Sequence, residues 1–224
     1  MSFILNIDTS GAMASVSIAS EGKLIGLKEN AAQSEHASFL QPAIKHLLQD
    51  LNLNINSVDA VAVVNGPGSY TGLRVGLASA KGICFALNKP LITIGTLPLM
   101  AQSALEHLPQ EDRLTTLLCP MIDARRQEVF TAIYTTTLEI ILPAQAHILS
   151  NDSFVATLLQ NKILFFGNGA AKYGAMPKHV NAMFAGVYKN SEAMCQLSNH
   201  SFSVENFTPL AYCEPLYLKE FYTG

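Results

Sequence analysis

Residues 66–76 read Gly-Pro-Gly-Ser-Tyr-Thr-Gly-Leu-Arg-Val-Gly, so four glycines and a proline stand at the junction of a buried-strand run, 60–64, and an apolar helical run, 73–87. Glycine tolerates positive φ and lets another group come within contact distance, so such a loop usually cradles something. The chemistry it suits is anion binding. Ser69 or Thr71 would serve as N-cap, free backbone N–H groups would point into the loop, and Arg74 in the first turn would face a carboxylate or phosphate. Ordinary capping beside a solvated arginine accounts for the same residues, and both readings stay open.

Three familiar loop chemistries are excluded. The spacing is not G-x-x-x-x-G-K-[ST], and no lysine follows the glycine as a P-loop requires. Thr71 stands where a dinucleotide fingerprint needs its third glycine. Ser69 lies between Pro67-Gly68 and Tyr70-Thr71, which is not the G-x-S-x-G of a nucleophile elbow.

The elements that must position this loop follow from hydrophobic period. Residues 3–8 read as a buried strand, 13–19 as a second, and 23–28 as a third after Glu21-Gly22, which together predict an antiparallel meander. Phe39, Leu40, Ala43, Ile44, Leu47, Leu48 and Leu51 recur at helical spacing over 35–51, with Pro42 marking a kink or a late start. A strand at 60–64, the glycine loop, a helix at 73–87 and a strand at 91–94 come next. A meander followed by alternating helix and parallel strand is the ribonuclease-H-like order. In the second half, strands are predicted near 115–122, 128–134 and 163–166, and a short helix near 152–159. A crossing between lobes is expected at 95–99, dividing the chain into residues 1–98 and 99–224, with the last segment packing back on the first lobe. No internal repeat is visible.

The 224 residues are 49% hydrophobic and only 14% charged, against about 25% charged in an ordinary globular domain. Either a large core or a partner-covered surface accounts for this. Net charge is −3, so no basic field exists to hold a phosphate backbone without help. Cys84, Cys119, Cys195 and Cys213 are widely separated and form no C-x-x-C, which suits reduced thiols. Lys81, Lys89, Pro90 and Pro98 interrupt the most apolar region before a membrane span of about 18 residues accumulates. No basic leader precedes the first strand, so a cytoplasmic protein is expected.

The helix after the glycine loop is apolar on nearly every side, leaving Arg74, Ser79 and Lys81 as polar exceptions. Such a helix is expected between its own sheet and a second surface. That surface is either within the monomer or on a partner.

Ile7-Asp8-Thr9-Ser10, the segment 65–76, Ile122-Asp123-Ala124-Arg125-Arg126-Gln127-Glu128-Val129-Phe130 and Pro215-Leu216-Tyr217-Leu218 together resemble the bacterial tRNA threonylcarbamoyladenosine biosynthesis family TsaB, also called YeaZ. The matches span nearly the whole chain, and the glycine segment is the most specific of them. The resemblance implies an actin-like, sugar-kinase-like ATPase fold of two ribonuclease-H-like lobes, the second reduced. It implies a scaffold and activator role beside a catalytic paralogue, TsaD, and an ATPase, TsaE. That assembly transfers threonylcarbamoyl to the adenosine following the anticodon in tRNAs reading codons that start with A. Transfer RNA would be met only through the complex, and the chain alone would form a homodimer.

The catalytic paralogue's H-x-x-x-H is broken here, because Leu40 follows His36 by four residues and His46 comes ten residues on. His107, His147, His179 and His200 have no carboxylate at ligand spacing, so neither a metal site nor a catalytic residue is assigned. In kinases of the implied superfold a phosphate hairpin ends the first strand. This places Asp8, Thr9 and Ser10 with Ser69, Thr71 and Arg74 as a nucleotide- or anion-binding set. Ala124-Arg125-Arg126 replaces the glycines of the second phosphate loop, so no intrinsic cofactor is expected, and any ATP or ADP would sit at an interface with partners. Asp8 and Asp123 end strands and form the one conceivable acid–base pair. The expected partner face comprises His36, Phe39, Leu40, Ala43 and Leu47 of the first helix with Leu73, Gly76, Leu77, Ala80 and Cys84 of the second. Rival readings are a glycoprotease-like metallopeptidase and a stand-alone kinase of the same superfold.

Overall fold

The structure is a computed structural model that describes residues 2–31, 35–176 and 179–219. Its first sheet contains β1 (Phe3–Asp8), β2 (Ala14–Ser20), β3 (Lys23–Asn30), β4 (Ala60–Gly66) and β5 (Leu91–Gly95), in the order β3-β2-β1-β4-β5. β1 pairs antiparallel with β2 and parallel with β4, and β4 pairs parallel with β5. Ser20 lies opposite Lys23, and the two residues between them, Glu21 and Gly22, both have positive φ. Such a loop matches the twist of a right-handed hairpin.

Helices α1 (His36–Asp50) and α2 (Tyr70–Leu87) pack with Leu5, Ile7, Val16, Ile18, Val61 and Val63. In α1, Leu40, Ala43, Ile44, Leu47 and Leu48 are buried at i, i+3, i+4, i+7 and i+8, and the helix runs through Pro42. Burying four large aliphatic side chains at about 1.5–3 kcal/mol each outweighs the roughly 3 kcal/mol cost of an internal proline. α2 begins at Tyr70 because Ser69 caps it, its hydroxyl accepting from the Gly72 N–H. It ends at Asn88, in the left-handed region, with Pro90 beyond to prevent continuation. The sheet's other face meets α6 (Ser191–Ser203): Asn6 and Ser17 contact the Cys195 sulfur.

The second sheet contains β6 (Thr116–Asp123), β7 (Glu128–Tyr134), β8 (Ile140–Ile148), β9 (Lys162–Phe166) and β10 (Ala182–Phe184), in the order β10-β9-β6-β7-β8. Read from β8, this is the first sheet's order and sense again: an antiparallel meander, then parallel strands. The chain therefore repeats its topology, although no repeat is visible in the residues. Short helices α4 (Val155–Leu158) and α5 (Ala170–Gly174) follow β8 and β9, standing where the first sheet has 15- and 18-residue helices; in that sense the second lobe is reduced. Two ribonuclease-H-like lobes of this kind make an actin-like ATPase fold.

The two compact units are residues up to Thr96 with Asn190–Leu216, and Leu97–Lys189 with the chain from Tyr217. Against the expected division at 98/99, the helix at 191–203 belongs with the first sheet. α3 (Thr96–Leu105) follows β5, yet its Leu97, Ala101 and Ala104 join the core of the second sheet with Leu118, Ala132 and Phe166. Each unit therefore receives the helix that follows the other unit's last strand. Among the described residues, no helix is long and apolar enough to cross a membrane.

Candidate functional site: the glycine-loop junction

The question the sequence poses is what the glycines of 66–76 accommodate, and the geometry gives a direct answer. A Cβ on Gly68 would collide with the Ser10 carbonyl oxygen, one on Gly72 with the Thr9 carbonyl oxygen, and one on Gly76 with the Thr9 hydroxyl. The end of β1 and the turn after it lie directly on the start of α2. Thr9 Oγ1 donates to the Gly72 carbonyl at 2.7 Å, and the Ser69 N–H donates to the Ser10 carbonyl at 2.7 Å. His36, whose Nδ1 would lie 3.2 Å from a Gly72 Cβ, covers the same turn, and its Nε2 lies 3.4 Å from the Ala12 carbonyl. On the other side of the loop, Gly66 has φ +119°, and a Cβ there would stand 2.6 Å from the Leu216 carbonyl.

Asp8 is the buried charge of this junction, 8% exposed. Its Oδ1 accepts from the Ser10 N–H at 2.9 Å and the Ser10 hydroxyl at 2.6 Å. Burial pushes its carboxyl above the ordinary range, while the Ser10 bonds, a bond from Asn190 and the nearby His36 pull the other way. Desolvation is the largest influence, and among the described residues no Lys or Arg forms an ion pair with this carboxylate.

The space opened by Gly68, Gly72 and Gly76 is filled by Thr9 and Ser10 of the same chain. Of the six residues predicted to bind a nucleotide or anion, Asp8, Thr9, Ser10 and Ser69 use the polar groups described above within the chain. Thr71 and Arg74 are exposed. The Arg74 guanidinium lies 4.0 Å from the Tyr70 ring centroid, a cation–π contact that anchors it locally.

The equivalent turn of the second sheet is closed in the same manner. A Cβ on Gly167, φ +96°, would meet the Met121 carbonyl oxygen, and the Gly169 N–H donates to that same oxygen at 3.0 Å. Asp123 differs from Asp8 in its surroundings: Lys172 Nζ lies 2.7 Å from its Oδ1, and the Arg125 N–H donates to the same atom at 2.7 Å. The Lys172 ammonium holds this carboxyl below the usual range. The two aspartates lie in different units and are tuned in opposite directions.

The expected partner face requires correction. His36, Leu40, Ala43, Leu47, Leu73, Gly76, Leu77, Ala80 and Cys84 are all buried, and of the ten residues only Phe39 is partly exposed. The apolar faces of α1 and α2 turn toward their own sheet. The outward side of α1 is polar, with Ser38, Gln41, Lys45, His46 and Gln49. The outward side of α2 is not: Thr71, Arg74, Ala78, Gly82, Phe85 and Ala86 are exposed, Phe85 by 85%, and nothing lies within 4 Å of a Cβ placed on Gly82. The sequence contained one signal for the junction itself, glycine recurring every four residues at 68, 72 and 76. It contained none for Asn190, which reaches Asp8 from far along the chain.

The comparisons with known proteins agree with this architecture. Residues 20–195 match the family model described as TsaD: tRNA N6-adenosine threonylcarbamoyltransferase. The tRNA threonylcarbamoyladenosine biosynthesis protein TsaB of Haemophilus influenzae is 39% identical over 127 residues, covering 57% of this chain and 51% of that protein. Its Bacillus subtilis namesake is 29% identical over 181 residues, covering 79% and 76%. The chain thus spans about half the length of the Haemophilus relative. YeaZ from Pseudomonas aeruginosa superposes with a TM-score of 0.78 at 26% identity, covering 97% of this chain and all of that one. A second Pseudomonas aeruginosa structure, described as similar to peptidase YEAZ, gives 0.81 at 26% identity. A family model matched over residues 20–195, with this fold and these relatives, places the chain in the TsaD family of tRNA N6-adenosine threonylcarbamoyltransferases, as a protein of its TsaB/YeaZ type.

Proposed function

We propose that this chain is a non-catalytic subunit of a tRNA threonylcarbamoyladenosine-forming assembly, docking a TsaD-type catalytic paralogue through the outward face of α2. The observation that carries the reading is the pairing of a closed glycine junction with an open helix. The space opened by the loop glycines is occupied by Thr9 and Ser10, while the helix that loop starts presents Phe85, Ala78 and Gly82 outward. A large aromatic beside small residues suits close helix–helix contact, because Gly82 and Ala78 allow a second backbone to approach while Phe85 fills a pocket on it. Burying Phe85 is worth about 1.5–3 kcal/mol, enough to act as an anchor. Without the paralogue, the same face pairs two copies of this chain.

In this reading a TsaE-type ATPase and the tRNA are engaged by the assembly, and a nucleotide is shared with a partner. Thr71 and Arg74, exposed on the first turn of α2, are the two members of the predicted anion set that a partner-borne phosphate would reach. The chain acts in the cytoplasm and meets tRNA through the assembly.

Co-elution with the paralogue tests the docking face. Phe85→Asp should abolish it and leave the melting temperature unchanged, whereas Lys45→Asp on α1 should change neither. Retained co-elution of Phe85→Asp would sink this surface. A catalytic reading remains worth a direct test because the matched family model is named for the transferase. Threonylcarbamoyl transfer by this chain alone would support it and overturn the subunit role. Stoichiometric zinc or iron in the purified protein would support a peptidase instead, and ATP turnover by the chain alone a kinase.

A further inference from the structure

The chain has four arginines, and two of them are engaged within it. Arg74 lies over the Tyr70 ring, and the Arg113 side chain donates to the Leu105 and Leu108 carbonyls. The other two, Arg125 and Arg126, are the only adjacent cations in the sequence. They stand in the turn between β6 and β7, both exposed, and among the described residues neither guanidinium has a hydrogen bond or an ion pair. Both also have left-handed backbone, with φ +68° and +44°. Glycine, asparagine or aspartate takes that conformation at least cost, and a long side chain gains nothing locally from it. The turn is held there by its base. The Arg125 N–H donates to Asp123 Oδ1 at 2.7 Å, the Asp123 N–H to Asn168 Oδ1 at 2.9 Å, and the Glu128 N–H to the Arg125 carbonyl at 3.1 Å. The two carboxylates flanking the turn are each met by a lysine: Lys172 Nζ lies 2.7 Å from Asp123 Oδ1, and Lys219 Nζ lies 2.6 Å from Glu128 Oε2. The charge left over at the turn is that of the two arginines.

We propose that the Arg125–Arg126 turn is this chain's own contact with tRNA, gripping neighbouring phosphates of the ribose-phosphate backbone. This rests on the subunit reading above, which brings tRNA into the same assembly. A guanidinium fork matches phosphate oxygens two at a time, and two forks on successive residues suit a ligand whose anionic charges also repeat. A lone carboxylate on a protein partner would occupy only one of them. The chain as a whole is negative, at −3, so it meets a polyanion only where positive charge is locally concentrated. The backbone fits the same role, because an unfavourable conformation at an exposed turn persists where it positions groups for a ligand. Contacts of this kind fix the position of the RNA without reading its sequence.

The test uses the complete assembly and an unmodified tRNA transcript, with affinity read by fluorescence anisotropy over a salt series. Arg125→Ala/Arg126→Ala should weaken binding about tenfold or more and lower the slope of log affinity against log salt by about 1.4–1.8, the share of two phosphate contacts. Lys45→Glu, which reverses an exposed cation of α1, should leave both unchanged. Arg125→Gly/Arg126→Gly separates RNA contact from folding: its melting temperature should equal or exceed that of wild type, while tRNA binding falls as in the alanine variant. Co-elution with the catalytic paralogue should be retained in every variant. Its loss in the arginine variants would make the partner an acidic protein surface and overturn the proposal, as would tRNA affinity and salt slope equal to wild type. If the wild-type chain joins no assembly, the subunit reading fails at co-elution. Binding of tRNA to the chain alone at low salt then decides the turn's role: binding lost in the alanine variant supports it, and binding equal in both overturns it.

Discussion

Replacing Gly72 by alanine should destabilise the first unit, although alanine is the better helix former, and the structure allows the size to be worked out. Gly72 lies inside α2 without a positive φ, so helix propensity alone favours alanine by about 1 kcal/mol. Against this, the new methyl overlaps the Thr9 carbonyl oxygen, a backbone atom in the turn that follows β1. Overpacking of this type costs about 1–3 kcal/mol. If Thr9 withdraws, its 2.7 Å bond to the Gly72 carbonyl goes too, at about 1 kcal/mol. The net loss is about 1–3 kcal/mol. For a chain of this length, about 2–4 °C per kcal/mol corresponds to a fall of several degrees in the melting temperature. Gly82→Ala is the internal control, since the same substitution ten residues along the helix meets open space and should gain about 0.5–1 kcal/mol. Thermal and urea unfolding of the pair decides the matter. Equal stability of Gly72→Ala and wild type, or equal destabilisation by both variants, would refute the claim that these glycines exist to seat the chain's own β1 end.

Other consequences follow from the same structure. Phe85→Asp should raise the dissociation constant for the paralogue by about 30-fold or more, from the loss of roughly 2 kcal/mol or more of apolar burial, measured by calorimetry; a shift below threefold would remove Phe85 as the anchor. All four cysteines are buried and free, and desolvation pushes the thiols of Cys84 and Cys195 up to about 11 and that of Cys119 to about 12. The folded protein at pH 8 should therefore take up no thiol reagent on the minute scale, while the denatured chain takes up four equivalents; rapid labelling of the native state would contradict the packing. The raised carboxyl of Asp8 means that the folded state holds its proton at a pH where the unfolded chain has released it. Wild-type stability relative to Asp8→Asn should thus fall as pH rises from about 3.8 through the folded value. A stability difference that is flat between pH 3 and 7, or that grows with pH, would show that desolvation does not dominate.

The sequence revealed what depends on local pattern and missed what depends on distant partners. The meander and both long helices are visible because Leu5, Ile7, Leu40, Ile44, Leu47, Leu73 and Leu77 are large and periodic. β8 was not predicted: it is an edge strand whose Ile140, Ile141 and Ile148 are exposed and whose middle is Pro143, a residue that argues against strand. α6 was not predicted either, because its buried side consists of Ser191, Ala193, Met194, Cys195 and Ser198, too polar to register as an apolar stripe. Period also establishes that a helix has an apolar face without establishing what covers it. The predicted partner residues on α1 and α2 are the ones their own sheet buries, and the outward face was left to Phe85 and its small neighbours. The glycine loop was recognisable as a site of close approach, but its occupant, Thr9 and Ser10, lies some sixty residues earlier in the chain.

The central claim is that this chain assists transfer without performing it, and a titration tests it most directly. The measurement is the rate of threonylcarbamoyl transfer to tRNA at fixed catalytic paralogue and ATPase, with increasing amounts of this chain. The account predicts a low rate without the chain and a saturating rise with wild type. Phe85→Asp should need at least 30-fold more protein for the same rate, and the chain alone should give no transfer. Transfer by the chain alone, or a rate indifferent to its addition, would contradict it.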